Sequence, residues 1–233
     1  MAVEAALFDV FGTLVDWRRG IATAVAPVLA REGAEIEAEA FAEAWRGEYE
    51  PSMTPIREGR RPYAALDTLH RENLDRLLDR LGLGLGEDDR AALTRAWERL
   101  PPWADVPEGL ARLRTRLLLA PCSNGSIALM ARLARHAGFG WDAVLGAEIA
   151  RTYKPRPEVY LASCAALGLV PASVVMVAAH NDDLRAARAQ GLATAFVART
   201  SEYGPDQTTD LGPEQDWDWV ADDLGDLARQ MAG

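Results

Sequence analysis

The sequence predicts an α/β fold: a doubly wound parallel sheet with a helical insert after its first strand. Three observations lead there. Short apolar runs recur along the chain, as strands buried on both faces of a parallel sheet do. Helical stretches separate them, each followed closely by glycine or another turn residue, as at Gly138, Gly168 and Gly191. Residues from about 16 to 100 break this rhythm and carry helical periodicity without a convincing strand.

In chain order, Val3–Val10 (VEAALFDV) reads as the first strand. Ile21–Arg31, Glu37–Glu48, Tyr63–Leu81 and Asp88–Leu100 then read as amphipathic helices. In the third of these, Leu66, Leu69, Leu74, Leu77, Leu78 and Leu81 supply the apolar positions. Pro101–Pro102 marks the return to the sheet. Arg116–Pro121, Ser173–Ala179 and Ala193–Ala198 repeat the strand pattern, and Ala143–Leu145 is a shorter candidate. Helices are expected over Glu108–Arg116, Ser126–Ala137, Pro157–Leu167 and Asp183–Gln190. The expected division is a catalytic core of 1–15 and 101–233 and a cap of 16–100. Such a cap hangs over the carboxyl ends of the strands, where these sheets bind ligands, and is placed to act as a lid.

Composition narrows the class. A chain of 233 residues buries a core without disulfide or metal staples. A net charge of −10 argues against a broad nucleic-acid or anionic-membrane surface. No segment approaches the roughly 18 apolar residues of a membrane span. The first residues lack a basic start and a cleavage site, so a cytoplasmic location is expected. Cys122 and Cys164 form no metal-type pair and read as buried thiols. Of the 25 basic residues, 24 are arginine, and Lys154 is the sole lysine. The arginine excess fits codon bias, which does not explain why one lysine survives.

Four short segments carry the chemistry. Asp9-Val10-Phe11-Gly12-Thr13 ends the first strand and points an aspartate at the ligand crevice. Cys122-Ser123-Asn124-Gly125-Ser126 follows the second strand and offers hydroxyls, an amide and a helix start suited to an anion. Tyr153-Lys154-Pro155 precedes a helix, and Ala179-His180-Asn181-Asp182-Asp183 follows another apolar strand. Taken singly, each reads as well as a cap, a turn or a solvated surface group. Their common placement, at strand ends or helix starts, brings all four together.

Asp9, Ser123, Lys154 and Asp182/Asp183 match, in order, the four motifs of the haloacid dehalogenase superfamily, which the whole chain resembles. DVFGTLVDWR, SNGS, YKPRPEVY and AAHNDDL are most similar to the L-2-haloacid and haloacetate dehalogenase branch. The resemblance implies a Rossmann-like core with a helical cap and no cofactor or metal. Its phosphatases carry a general acid two residues after the nucleophile, to protonate a strongly basic leaving oxygen. That position is Phe11 here, and a weakly basic halide needs no such acid. Phosphonoacetaldehyde hydrolases also lack the acid but use a cap lysine, and residues 16–100 contain none.

The implied reaction is two displacements: Asp9 attacks the halogen-bearing carbon, and water then hydrolyses the ester. In that scheme Lys154 favours the ionised Asp9 and Thr13 orients it. Asp183 contacts Lys154 and positions or deprotonates water, with His180 as a competing base. Ser123 and main-chain N–H groups around Val10, Phe11 and Asn124 hold the substrate carboxylate. Arg46, Asn124 and Asn181 are the expected halide or substrate contacts, and Phe11 and Trp45 an apolar wall. Ala178 and His180 stand where the family's best-known pattern has serine and asparagine, and relatives with such a loop act on fluoroacetate. A histidine beside the halide would help fluoride leave. The expected partner is a small halogenated carboxylic acid, and dimers are common among relatives, so a homodimer stays open. Two alternatives also stay open: a Mg²⁺-dependent small-molecule phosphatase using Asp9 with Asp182 or Asp183, and a silent carboxylate-binding protein.

Overall fold

The computed structural model describes residues 2–231. Six strands form one parallel sheet in the order β3-β2-β1-β4-β5-β6. They are β1 (Ala5–Phe8), β2 (Leu118–Ser123), β3 (Leu145–Gly146), β4 (Val174–Ala178), β5 (Ala193–Val197) and β6 (Trp219–Ala221). Side chains alternate faces along each strand. Ala6 and Phe8 of β1 join one apolar layer with Val175 and Val177. Ala5 and Leu7 join the opposite layer with Val174 and Met176. Both faces are therefore covered, which explains why the strands read as continuous apolar runs.

Five helices follow β1 before the chain reaches Pro101: α1 (Trp17–Glu32), α2 (Ala38–Gly47), α3 (Tyr49–Arg57), α4 (Leu66–Leu81) and α5 (Glu87–Thr94). The remaining helices flank the sheet: α6 (Val106–Leu113), α7 (Ile127–Ala137), α8 (Ala147–Ala150), α9 (Pro157–Ala166), α10 (Asn181–Arg188) and α11 (Leu224–Gln230). Asp16 caps α1 by accepting from the Arg19 N–H, and Ser126 caps α7 by accepting from Leu129. No helix among the described residues is long and apolar enough to cross a membrane.

Several expected elements shift. The helix expected over Asp88–Leu100 ends at Thr94 and continues as a 3₁₀ turn, Arg95–Arg99. The sequence reading expects no helix over Tyr49–Arg57, where α3 carries Pro51 and Pro55. Pro51 sits in the first turn, where a missing N–H costs nothing. β6 was also absent from that reading: three residues are too few to show a period.

The chain leaves the sheet and returns to it along one path. Val15 pairs antiparallel with Pro102, Asp16 N donates to Pro101 O, and Trp103 N donates to Leu14 O. Arg199 fastens this crossing from behind. Its Nε donates to Thr13 O at 2.8 Å, and its two terminal nitrogens grip Asp105 at 2.9 and 2.7 Å.

Candidate active site

Sheet order sets the site. β1 lies between β2 and β4, so the loops after these strands open side by side. Asp9 follows β1 directly, and its N–H donates to Val177 O, which extends the β1–β4 ladder by one residue. Ser123 and Asn124 follow β2, and His180 precedes α10. Lys154 comes from the loop between α8 and α9, its backbone N–H donating to Asn124 Oδ1 at 2.8 Å.

The centre is one ammonium between two carboxylates. Lys154 Nζ lies 2.8 Å from Asp9 Oδ1 and 2.6 Å from Asp183 Oδ2. The other oxygen of Asp9, Oδ2, accepts from the Thr13 hydroxyl at 2.8 Å and lies 3.2 Å from His180 Nδ1. Thr13 is fixed in turn by the Ala179 N–H, which donates to its Oγ1. Tyr160 donates its hydroxyl to Asp183 Oδ1 at 2.6 Å.

These contacts set the protonation states. Burial alone would raise the Asp9 carboxyl, but the Lys154 charge and the His180 contact outweigh it and hold it well below the usual range. Burial works against the Lys154 ammonium, yet Asp183 and Asp9 raise its affinity for the proton. Asp183 is raised, by burial first, against the pull of Lys154. Two carboxylates on one ammonium thus differ in basicity: Asp9 is the weaker base and Asp183 the stronger. His180 loses to burial but gains more from Glu202 and Asp9, and is held well above its ordinary value.

A cavity of about 630 Å³ opens over this centre, lined by Asp9, Phe11, Arg46, Tyr49, Asn124, Lys154 and His180 among others. A family model described as haloacid dehalogenase-like hydrolase matches residues 3–191. The chain belongs to the haloacid dehalogenase-like hydrolases. It is 32% identical to an (S)-2-haloacid dehalogenase of Xanthobacter autotrophicus, over 86% of this chain and 77% of that one. Among solved structures it resembles a defluorinating L-2-haloacid dehalogenase at 48% identity and TM-score 0.96, covering 99% of this chain and 96% of that one. It also resembles the X. autotrophicus L-2-haloacid dehalogenase with chloropropionic acid covalently bound, at 28% identity and TM-score 0.81, covering 99% of each chain.

The other predicted residues of this haloacid dehalogenase-like hydrolase fall unevenly. Phe11 is buried and packs edge-on to Trp97, so a ring fills the place two residues after Asp9. Val10 and Ser123 are buried and do not line the cavity, and Ser123 Oγ accepts from the Gly125 N–H. Arg46 lies on α2 with its guanidinium 3.8 Å from the Tyr49 ring centre, and its buried Nε has no partner. Trp45 is buried behind this layer, donating to His70 O.

One expectation needs correction. Asn181 makes no contact with the cavity: its amide donates to Asp210 and Gly212, and its carbonyl accepts from Glu214 N and Trp217 Nε1. All of its bonding capacity goes to the 210–217 loop, so it anchors that loop to α10. Glu202 and Asp9 raise the proton affinity of His180 well above its ordinary value, which favours Asp183 over it as the base. His180 Nδ1 faces Asp9 Oδ2. Of the two acidic candidates, Asp182 is 89% exposed and pairs with Arg185, leaving Asp183 at the centre.

Three residues escaped the sequence reading. Glu202 is 1% exposed and bonds His180 Nε2 at 2.8 Å through Oε2 and Trp17 Nε1 at 2.8 Å through Oε1. Tyr160, six residues after Lys154 in YKPRPEVY, holds Asp183. His70 stacks on Trp97 with ring centres 4.2 Å apart, and neither ring nitrogen has a partner.

Proposed function

We propose that this chain hydrolyses short 2-haloalkanoic acids, haloacetates and L-2-haloacids, to 2-hydroxy acids through an ester on Asp9. The observation that carries the proposal is a buried carboxylate kept ionised by Lys154, with Phe11 where a leaving alkoxide would need an acid. An ionised, thinly hydrated carboxylate is a nucleophile suited to a carbon that bears a good leaving group. The halide leaves toward Arg46, whose unpartnered Nε–H is a free donor in the apolar wall of Phe11 and Tyr49. The substrate carboxylate sits on Ser123 and the N–H groups around Val10, Phe11 and Asn124. Water then attacks the ester, and Asp183, the stronger base of the pair, takes its proton. The covalently bound chloropropionic acid in the X. autotrophicus structure supports the ester reading.

Fluoroacetate belongs to the same proposal, supported by the 48% likeness to a defluorinating enzyme. So does the division into a core of 1–15 and 101–233 and a cap of 16–100, supported by the pairing of Val15 with Pro102. A homodimer and a cytoplasmic location complete it.

The test is halide release from chloroacetate and from each 2-chloropropionate enantiomer, with EDTA present. Chloride release with preference for one enantiomer is expected. A chain that releases none, but cleaves a nitrophenyl phosphate when Mg²⁺ is added, would replace this reading with the phosphatase one. Fluoride readings that stay at the no-enzyme baseline, while chloroacetate turns over, would remove fluoroacetate from the substrate class.

A further inference from the structure

His180 is gripped at both ring nitrogens, by Asp9 Oδ2 on one side and Glu202 Oε2 on the other. Glu202 is built into the molecule. It comes from the turn after β5, is 1% exposed, and is steered by the Trp17 indole of α1. The backbone makes room for it as well. Gly12 has φ +88°, and a Cβ there would overlap the Glu202 carboxylate. A glycine is required at that position for two independent reasons, and one of them is Glu202. Burying a carboxylate this deeply is unfavourable unless it is paired. The charge partner it faces is His180, and none of the steps above uses it.

The two oxygens of Asp9 are not equivalent. Oδ1 faces Lys154 alone, whereas Oδ2 already carries the Thr13 hydroxyl and the His180 ring. An oxygen with two donors is the poorer nucleophile, so Oδ1 is the attacking atom and Oδ2 becomes the carbonyl oxygen of the ester. We propose that Glu202 is a positioning residue that holds the His180 imidazolium on Asp9 Oδ2, where His180 and Thr13 form the oxyanion hole for ester hydrolysis.

This inference rests on the ester reading above and assigns its second step. Water attacks Cγ of the ester and gives one proton to Asp183. The carbonyl electron pair moves onto Oδ2, between the Thr13 O–H and the His180 N–H. When the pair returns, the bond from Cγ to Oδ1 breaks, and the departing alkoxide takes the proton from Asp183 as the 2-hydroxy acid. The second water proton leaves the regenerated Asp9 carboxyl for solvent. His180 keeps its proton throughout. Donors fixed on an oxygen that gains charge are worth roughly 10²–10³ in rate. Six charged or titratable groups bear on the imidazole and its surroundings: Asp9, Lys154, Asp183, Glu202, Tyr203 and Arg46.

The experiment is rapid-quench halide release with intact-mass measurement, on wild type and Glu202→Gln with chloroacetate. The variant is expected to release about one halide per active site at the wild-type burst rate. It then slows at least roughly tenfold in steady state while the ester accumulates, and the slowing grows with pH as the weakly supported imidazolium loses its proton. A variant that slows the burst and the steady state equally, accumulates no ester, or keeps the wild-type pH profile overturns the proposal. If Glu202→Gln does not fold, His180→Asn carries the test: a neutral donor should accumulate ester with a slowing that does not depend on pH. No halide from wild type would sink the ester reading itself, whereas halide release without ester in either variant sinks only the oxyanion hole.

Discussion

Replacing Lys154 by methionine keeps the length of the side chain and removes its charge. The lost ammonium lies 2.8 Å from Asp9 and 2.6 Å from Asp183, with 8% of its side chain exposed. Each such pair is worth roughly 6 kcal/mol at an effective dielectric of about 20. Against this stands the several kcal/mol that burying the ammonium costs. The expected net loss of stability is about 3–5 kcal/mol at pH 8, the range for stripping one partner from a buried pair. The deficit has a defined pH sign. Without the ammonium, the folded state raises the affinity of the two carboxyls for a proton above that of the unfolded chain. The penalty is therefore full at high pH and fades as pH falls toward the unfolded value of about 4. Urea unfolding followed by fluorescence of the seven tryptophans, at pH 8 and pH 5, measures both quantities. A deficit below about 1 kcal/mol, as for a surface pair, would refute the reasoning, and so would a deficit independent of pH. Lys154→Arg should fold but lose nearly all turnover, because a planar fork cannot sit as a point charge between two carboxylates. Turnover near wild type in that variant would make the single lysine an accident of composition.

Other expectations are simpler to state. Asp183→Asn should give a halide burst with little steady-state turnover, because the stronger base of the pair is gone; quench-flow separates the two phases. Asn181→Ala should cost about 2–3 kcal/mol in urea unfolding, from hydrogen bonds worth roughly 0.5–1.5 each, while KM for chloroacetate stays within about twofold. A large KM change would return Asn181 to the substrate site. Asp9 is depressed and His180 raised, so kcat should hold across about pH 5–8, with the His180 limb on the alkaline side. A limb near 6.5 that rises with pH would mean a neutral, basic His180. His70→Phe should stabilise the fold by about 1 kcal/mol, since both imidazole nitrogens are buried without partners; a loss of stability would refute that account.

The parts of the site that could be read from the sequence are those held by local geometry. Asp9, Asn124 and His180 come at or just after the carboxyl ends of neighbouring strands, so recognising three apolar runs was enough to place them together. The helical insert was legible because its stretches lack any strand period. Asn181 could have been excluded on helix geometry alone. It lies two positions before Asp183 on α10, and residues so spaced point to different faces. Glu202 could not be found this way. Ser201-Glu202-Tyr203-Gly204 looks like a surface turn, and only the distant Trp17 and Gly12 make it an interior anion. α3 was hidden by two prolines, and β6 by its three-residue length.

The clamp of Arg199 on Thr13 and Asp105 has a mechanical consequence. Asp105 also accepts the Leu224 N–H, so the segment carrying Asp9 is tied to the start of α6 and, through it, to α11. Only a few residues further along, the chain departs into the helices that wall the cavity. A displacement carried along this segment therefore meets a fixed point before it reaches Asp9. Movement of α3 still reaches the centre by another route, because its Arg57 donates to Lys154 O at 3.0 Å.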